Sequence, residues 1–112
     1  MRCLYSIQFT PKTFPSCKVN SLRSRSVIIT RGEHPIFVAT GDDFFTFPVN
    51  TIERNKIIDT NGAGDAFSGG FLAALAIGRP LEKCVQAGNF AARTIIQNVG
   101  CTFPDTCDYK EY

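Results

Sequence analysis

Apolar and polar positions divide the chain near residue 26 into an unpatterned lead and a patterned body. Residues 1–25 have no period. Pro11, Pro15 and scattered Ser, Arg and Lys predict an irregular or extended stretch. Val27-Ile28-Ile29-Thr30 is a β-branched run of the kind that fills a buried strand. Residues 31–35 predict a turn, 36–40 a second strand, 41–43 another turn and 44–49 a third strand. Pro48 has no N–H to give a ladder, which confines the third strand to an edge or its own end. Short strands joined by tight turns predict a β-meander.

After residue 62 the apolar period lengthens from that of a strand to that of a helix. Phe67, Phe71, Leu72 and Leu75 recur at helical spacing and predict one apolar face, ended by Gly78-Arg79-Pro80. A second helix is predicted over residues 81–98. Its apolar face is Val85, Gly88, Ala92, Ile95 and either Ile96 or Val99, and Gly100 closes it. Gly69 and Gly70 interrupt the first helix at a cost of about 1 kcal/mol each against Ala, which predicts close packing at both. Residues 50–58 form a polar connection and residues 101–112 an irregular tail. The predicted class is α/β: a meander, a glycine-rich turn, then two helices. Three strands and two helices cannot cover both faces of a parallel sheet, so the pattern is that of the end of an α/β domain with an incomplete sheet.

Composition narrows this further. A chain of 112 residues, 44% apolar, builds at most one modest domain. The formal charge of +2 is scattered and gives no footprint for a nucleic-acid polymer. No apolar run is long enough to span a membrane, and the first six residues lack the apolar core of a secretory signal. The five cysteines are odd in number and include no C-x-x-C pair. Reduced thiols in a cytoplasmic protein are therefore favoured over a zinc site or a disulfide framework.

The candidate chemistry lies in Asp59-Thr60-Asn61-Gly62-Ala63-Gly64-Asp65-Ala66-Phe67. This run places two acids and two glycines at the entry of the first helix. A helix entry leaves backbone N–H groups unpaired and adds partial positive charge, and glycines let an anion come close. A carboxylate in the same turn can take a proton from a hydroxyl. An anion cradle beside a base suits phosphoryl transfer to an alcohol. Two rival phosphate loops fail on single residues: a Walker A loop needs Lys where Gly70 stands, and the dinucleotide fingerprint needs Gly where Phe67 stands.

The full string, with Ser68-Gly69-Gly70-Phe71-Leu72 after it, resembles the C-terminal signature of the ribokinase-like carbohydrate kinases, and with Asn61 it looks most like their adenosine-kinase branch. Residues 27–32, 86–92 and 100–104 resemble the strand and T-x-G turn, the nucleotide-side helix and the ending of that branch. The resemblance covers roughly residues 18–108 and makes 18–112 the C-terminal part of a ribokinase-like kinase domain. Residues 1–17 match nothing and are expected to be an irregular lead-in.

The resemblance implies Asp65 as catalytic base and the amides of Gly62, Ala63, Gly64 and Asp65 as the anion hole. It implies Thr30, Gly32, Val49 and Asn89 as ATP-binding residues. A plain turn (Thr30, Gly32), a core strand residue (Val49) and a polar helix residue (Asn89) are the alternatives. Asp59 and Asn61 fall where related kinases hold a monovalent cation, or Asp59 acts through water on magnesium. The implied activity is ATP-dependent phosphorylation of the 5′-hydroxyl of adenosine or a related nucleoside to the monophosphate. That places it in purine salvage with ATP and Mg²⁺, in a monomeric parent enzyme of the cytoplasm, with the nucleus as a second compartment. A sugar-kinase fragment and a nonenzymatic truncated product are the alternatives. Whole members of the family are several-fold longer, so much of the nucleoside side is expected to lie outside this sequence.

Overall fold

A computed structural model describes residues 25–111. The expected lead-in over residues 1–17 lies outside the described residues. The chain divides after Pro48 into two compact units, residues 1–48 and 49–112.

The described part of the first unit is an antiparallel sheet in the order β1-β2-β3, with β1 at Ser26–Arg31, β2 at His34–Thr40 and β3 at Asp43–Phe47. Both connections are two-residue hairpin loops, Gly32-Glu33 and Gly41-Asp42, with positive φ at the glycine (62° and 58°). Such loops need that backbone to match the strand twist. The first turn is narrower than residues 31–35. Arg31 pairs with His34, and Pro35 lies inside β2. The ladder shifts register between Ile29 and Arg31, so Thr30 faces two β2 residues. That irregularity accommodates a proline with no N–H to donate. The Arg31 guanidinium lies 3.9 Å from the centre of the Phe37 ring, and its Nε donates to the Pro35 carbonyl at 3.1 Å. Ile36 and Val38, on one face of β2, are fully buried. β3 stops at Phe47, so Pro48 stays outside the ladder.

The second unit is an antiparallel helix hairpin. A short 3-10 turn at Arg54–Lys56 precedes α1 at Ala63–Ala76 and α2 at Leu81–Ile95. Its core is Ala66, Phe67, Phe71 and Ala74 from α1 against Cys84, Val85, Ala87 and Ile95 from α2. The apolar face of α1 differs from the one its spacing predicts. Leu72 and Leu75 are 58% and 49% exposed, and two alanines take their place in the core. The reason is close approach of the helices. A Cβ on Gly70 would lie 2.5 Å from the Ala87 carbonyl oxygen, and one on Gly88 would lie 2.8 Å from the Phe67 ring. At that separation small side chains fit between the axes and leucines do not. Close packing holds at Gly70 but not at Gly69, which has nothing within 4 Å.

α2 ends at Ile95, three residues before the predicted limit. Gln97 and Asn98 donate their side-chain amides to the carbonyls of Arg93 (2.9 Å) and Thr94 (2.8 Å). These bonds satisfy helix-end acceptors that further helix would otherwise claim. Val99 is therefore exposed rather than part of the apolar face. The tail is irregular, as expected, but it folds back on the hairpin. Tyr109 meets Phe90 with ring centres 5.0 Å apart, and Glu111 pairs with Arg79 at 3.0 Å.

Candidate functional site

The candidate turn sits between two anchored ends. On its near side the N–H groups of Ile58 and Asp59 both donate to the Ile96 carbonyl, at 2.8 and 3.2 Å. On its far side Gly62 leads into α1 with φ 78°, and its carbonyl accepts the first helical bond, from Ala66 at 2.9 Å. A side chain at Gly62 would be doubly opposed. The left-handed backbone disfavours any Cβ, and that Cβ would lie 2.5 Å from Cys101 Sγ.

Four amides were expected to face an anion. Ala63 donates to the Thr60 carbonyl at 3.3 Å, so its N–H already has a partner within the turn. The ladder begins with the Ala66 N–H, which leaves those of Gly64 and Asp65 without an intrahelical acceptor. Gly64 and Asp65 are exposed, and a Cβ on Gly64 would meet nothing within 4 Å, so an anion can reach the backbone there. The helix dipole reinforces those donors with partial positive charge. Asp65 is the only acid in the first turn of α1. The first turn thus carries both the open amides and a carboxylate, a group of the kind that accepts protons from hydroxyls.

Asp59 behaves differently. One of its oxygens accepts the Asn61 N–H at 2.9 Å, and the other accepts the Gly100 N–H at 3.2 Å. The Asn61 carbonyl in turn accepts the Cys101 thiol at 3.7 Å. Among the described residues no group of three or more His, Cys, Asp or Glu could hold a metal ion. The Asp59 carboxylate and the Asn61 carbonyl both bond across from the turn to the exit of α2. Gly100 and Cys101 were not singled out as site residues. Their only sequence signal was the string that follows α2.

The other expected nucleotide contacts are divided between the two units. Thr30 lies at the register shift of β1 and Gly32 opens the first hairpin loop, and both are exposed in the strand unit. Val49 and Asn89 belong to the helical unit, and both are half-buried.

Three comparisons bear on this arrangement. Residues 17–107 match the model of the pfkB family carbohydrate kinases. Adenosine kinase 1 of Arabidopsis thaliana is 42% identical over 93 residues, which are 83% of this chain and 27% of that protein. Cytidine kinase of Thermococcus kodakarensis is 46% identical over 77 residues, 69% of this chain and 27% of that protein. In three dimensions the chain is similar to Anopheles gambiae adenosine kinase in complex with P1,P4-di(adenosine-5) tetraphosphate. The TM-score is 0.69 at 43% identity, over 78% of this chain and 27% of the other. The three antiparallel strands and two helices therefore match part of a ribokinase-like structure, and the chain spans about a quarter of the length of these relatives.

Proposed function

The chain belongs to the pfkB family of carbohydrate kinases, and from that membership we propose that it carries the phosphoryl-transfer turn of an adenosine kinase. The proposed reaction is ATP + adenosine → ADP + AMP, in cytoplasmic purine salvage. The observation that carries the reading is the pairing of outward amides at Gly64 and Asp65 with the Asp65 carboxylate in the same helical turn.

In this reading the γ-phosphoryl oxygens of ATP lie against the Gly64 and Asp65 amides, with Gly62 shaping the approach. Asp65 accepts the proton of the 5′-hydroxyl as that oxygen attacks phosphorus, and the bridging oxygen leaves on ADP. Donors already in place stabilise the charge gathered on the transferring group without reorganisation. Thr30, Gly32, Val49 and Asn89 are proposed contacts for the rest of the nucleotide. Magnesium arrives as the counter-ion of the ATP phosphates and so belongs to the substrate. Asp59 gives both oxygens to backbone amides, so no step is routed through a metal held by it.

Positioning of both substrates contributes much of the rate in such reactions. The 112-residue chain alone is therefore expected to transfer phosphate poorly, and a parent-length enzyme to do so well. The test grafts residues 26–104 into the matching region of Arabidopsis adenosine kinase 1 and follows labelled phosphate from ATP to adenosine. Transfer by the graft, lost in Asp65→Asn, supports the assignment. Full activity in that variant would sink the proposed base. Cytidine as acceptor is the second reading, favoured by the likeness to cytidine kinase, and a nucleoside panel on the same graft separates the two.

A further inference from the structure

The turn that carries Asp65 is held from a distance. Its near end hangs on the Ile96 carbonyl, its carbonyl at Asn61 meets the Cys101 thiol, and Asp59 reaches an amide 41 residues away. Among the described residues, Asp59 is the side chain that accepts amides from both sides of this junction. It takes Asn61 within the turn and Gly100 on the exit of α2. The proposed reaction makes no chemical use of it.

We propose that Asp59 is a positioning residue that fixes the open amides of Gly64 and Asp65 by stapling the turn to the exit of α2. The consequence for phosphate binding rests on the kinase reading above, whereas the staple itself does not. A carboxylate suits the task because it presents two acceptor oxygens and no donor. Charge also makes each bond roughly twice as strong as a neutral one. Asparagine at this position would keep one acceptor and turn an NH2 toward the second amide, donor against donor. Gly62 transmits the position of the staple. A Cβ there would lie 2.5 Å from Cys101 Sγ, so the start of α1 packs closely against the exit segment that the staple holds.

The test uses the full 112-residue chain, labelled for NMR. In the wild type, scalar couplings across hydrogen bonds should connect the Asn61 and Gly100 amide nitrogens to the side-chain carboxyl carbon of Asp59. Inorganic tripolyphosphate is then titrated while the Gly64 and Asp65 amides are followed, with Gly88 as a reporter of helix packing. Asp59→Ala should weaken the apparent affinity about tenfold, as expected for losing a charge-assisted hydrogen bond. Asp59→Asn should fall between the two, and the Gly88 amide should not move in either. The proposal is overturned if the couplings are missing, or if Asp59→Ala responds to tripolyphosphate like the wild type. It is also overturned if Gly88 shifts together with the loss, or if potassium or magnesium alone displaces the Asn61 and Gly100 amides. If the wild type ignores tripolyphosphate, the cradle reading fails, and the couplings still decide the staple.

Discussion

Gly88 of α2 approaches Phe67 of α1 so closely that a Cβ on the glycine would stand 2.8 Å from the ring and 2.9 Å from the Phe67 carbonyl oxygen. Helix propensity favours alanine there by about 1 kcal/mol. Overlap with a backbone oxygen, which cannot swing away, outweighs that gain, since overpacking costs about 1–3 kcal/mol. Gly88→Ala should therefore lower the melting temperature, and Gly70→Ala should do the same through the Ala87 carbonyl. Gly69→Ala is the control on the same helix. With open space at that position it should be neutral or stabilising by up to about 1 kcal/mol. Thermal melts of the three variants followed by circular dichroism check the order.

At Gly62 two penalties can be separated. Gly62→Ala forces an alanine into left-handed backbone, at about 1–2 kcal/mol, and brings its Cβ to 2.5 Å from Cys101 Sγ. Adding Cys101→Ala removes the overlap and leaves the backbone cost. The double variant should recover part of the lost stability and no more. Urea denaturation of the wild type, the two single variants and the pair measures the recovery as a double-mutant cycle.

The described thiols should differ in reactivity. Cys84 is fully buried and donates to the Arg79 carbonyl, while Cys101 and Cys107 are exposed. Iodoacetamide at neutral pH should label Cys101 and Cys107 in the native chain and reach Cys84 only after unfolding. Peptide mass spectrometry reads this directly.

The same burial pushes the Cys84 thiol above its ordinary range, and burial followed by the nearby Glu111 charge does the same to Tyr109. Unfolding releases both groups to ionise near their usual values, about 8.5 for Cys and about 10 for Tyr. Between the unfolded and folded values the folded chain holds more protons, so stability falls as pH rises. The contribution of these two groups to the melting temperature should be constant below about pH 8 and decline above it. Cys84→Ala should flatten the first part of that decline, and Tyr109→Phe the part beyond about pH 10.

Two contacts hold the tail on the helix hairpin, and they should not be equal in worth. The Arg79–Glu111 pair is partly exposed, with side chains 48% and 31% accessible, and such pairs give about 0–1 kcal/mol. The Tyr109 ring against Phe90 adds an aromatic contact of about 0.5–1.5 kcal/mol to its area burial. Tyr109→Ala should thus cost more stability than Glu111→Gln. Added salt should narrow the small Glu111→Gln effect and leave the Tyr109→Ala effect standing.

Among the described residues, the patterning of this sequence determined the type of each element. β-branched runs, Gly-x loops, the helical spacing after Gly62 and the stop at Gly78-Arg79-Pro80 all act through neighbours a few residues apart. Elements decided by such neighbours formed in the expected order, with ends displaced by a few residues. The glycine-rich entry with Asp65 was legible for the same reason, because an unpaired helix start is a property of the local backbone. Tertiary contact decided the rest. Leu72 and Leu75 satisfy helical spacing, yet Gly70 and Gly88 bring the axes so close that alanines and Phe67 fill the core instead. Side chains at Gln97 and Asn98 ended α2 at Ile95. Asp59 binds Gly100 only because folding brought that amide to its second oxygen. A partner 41 residues away leaves no mark in periodicity, so only the folded backbone could set that contact.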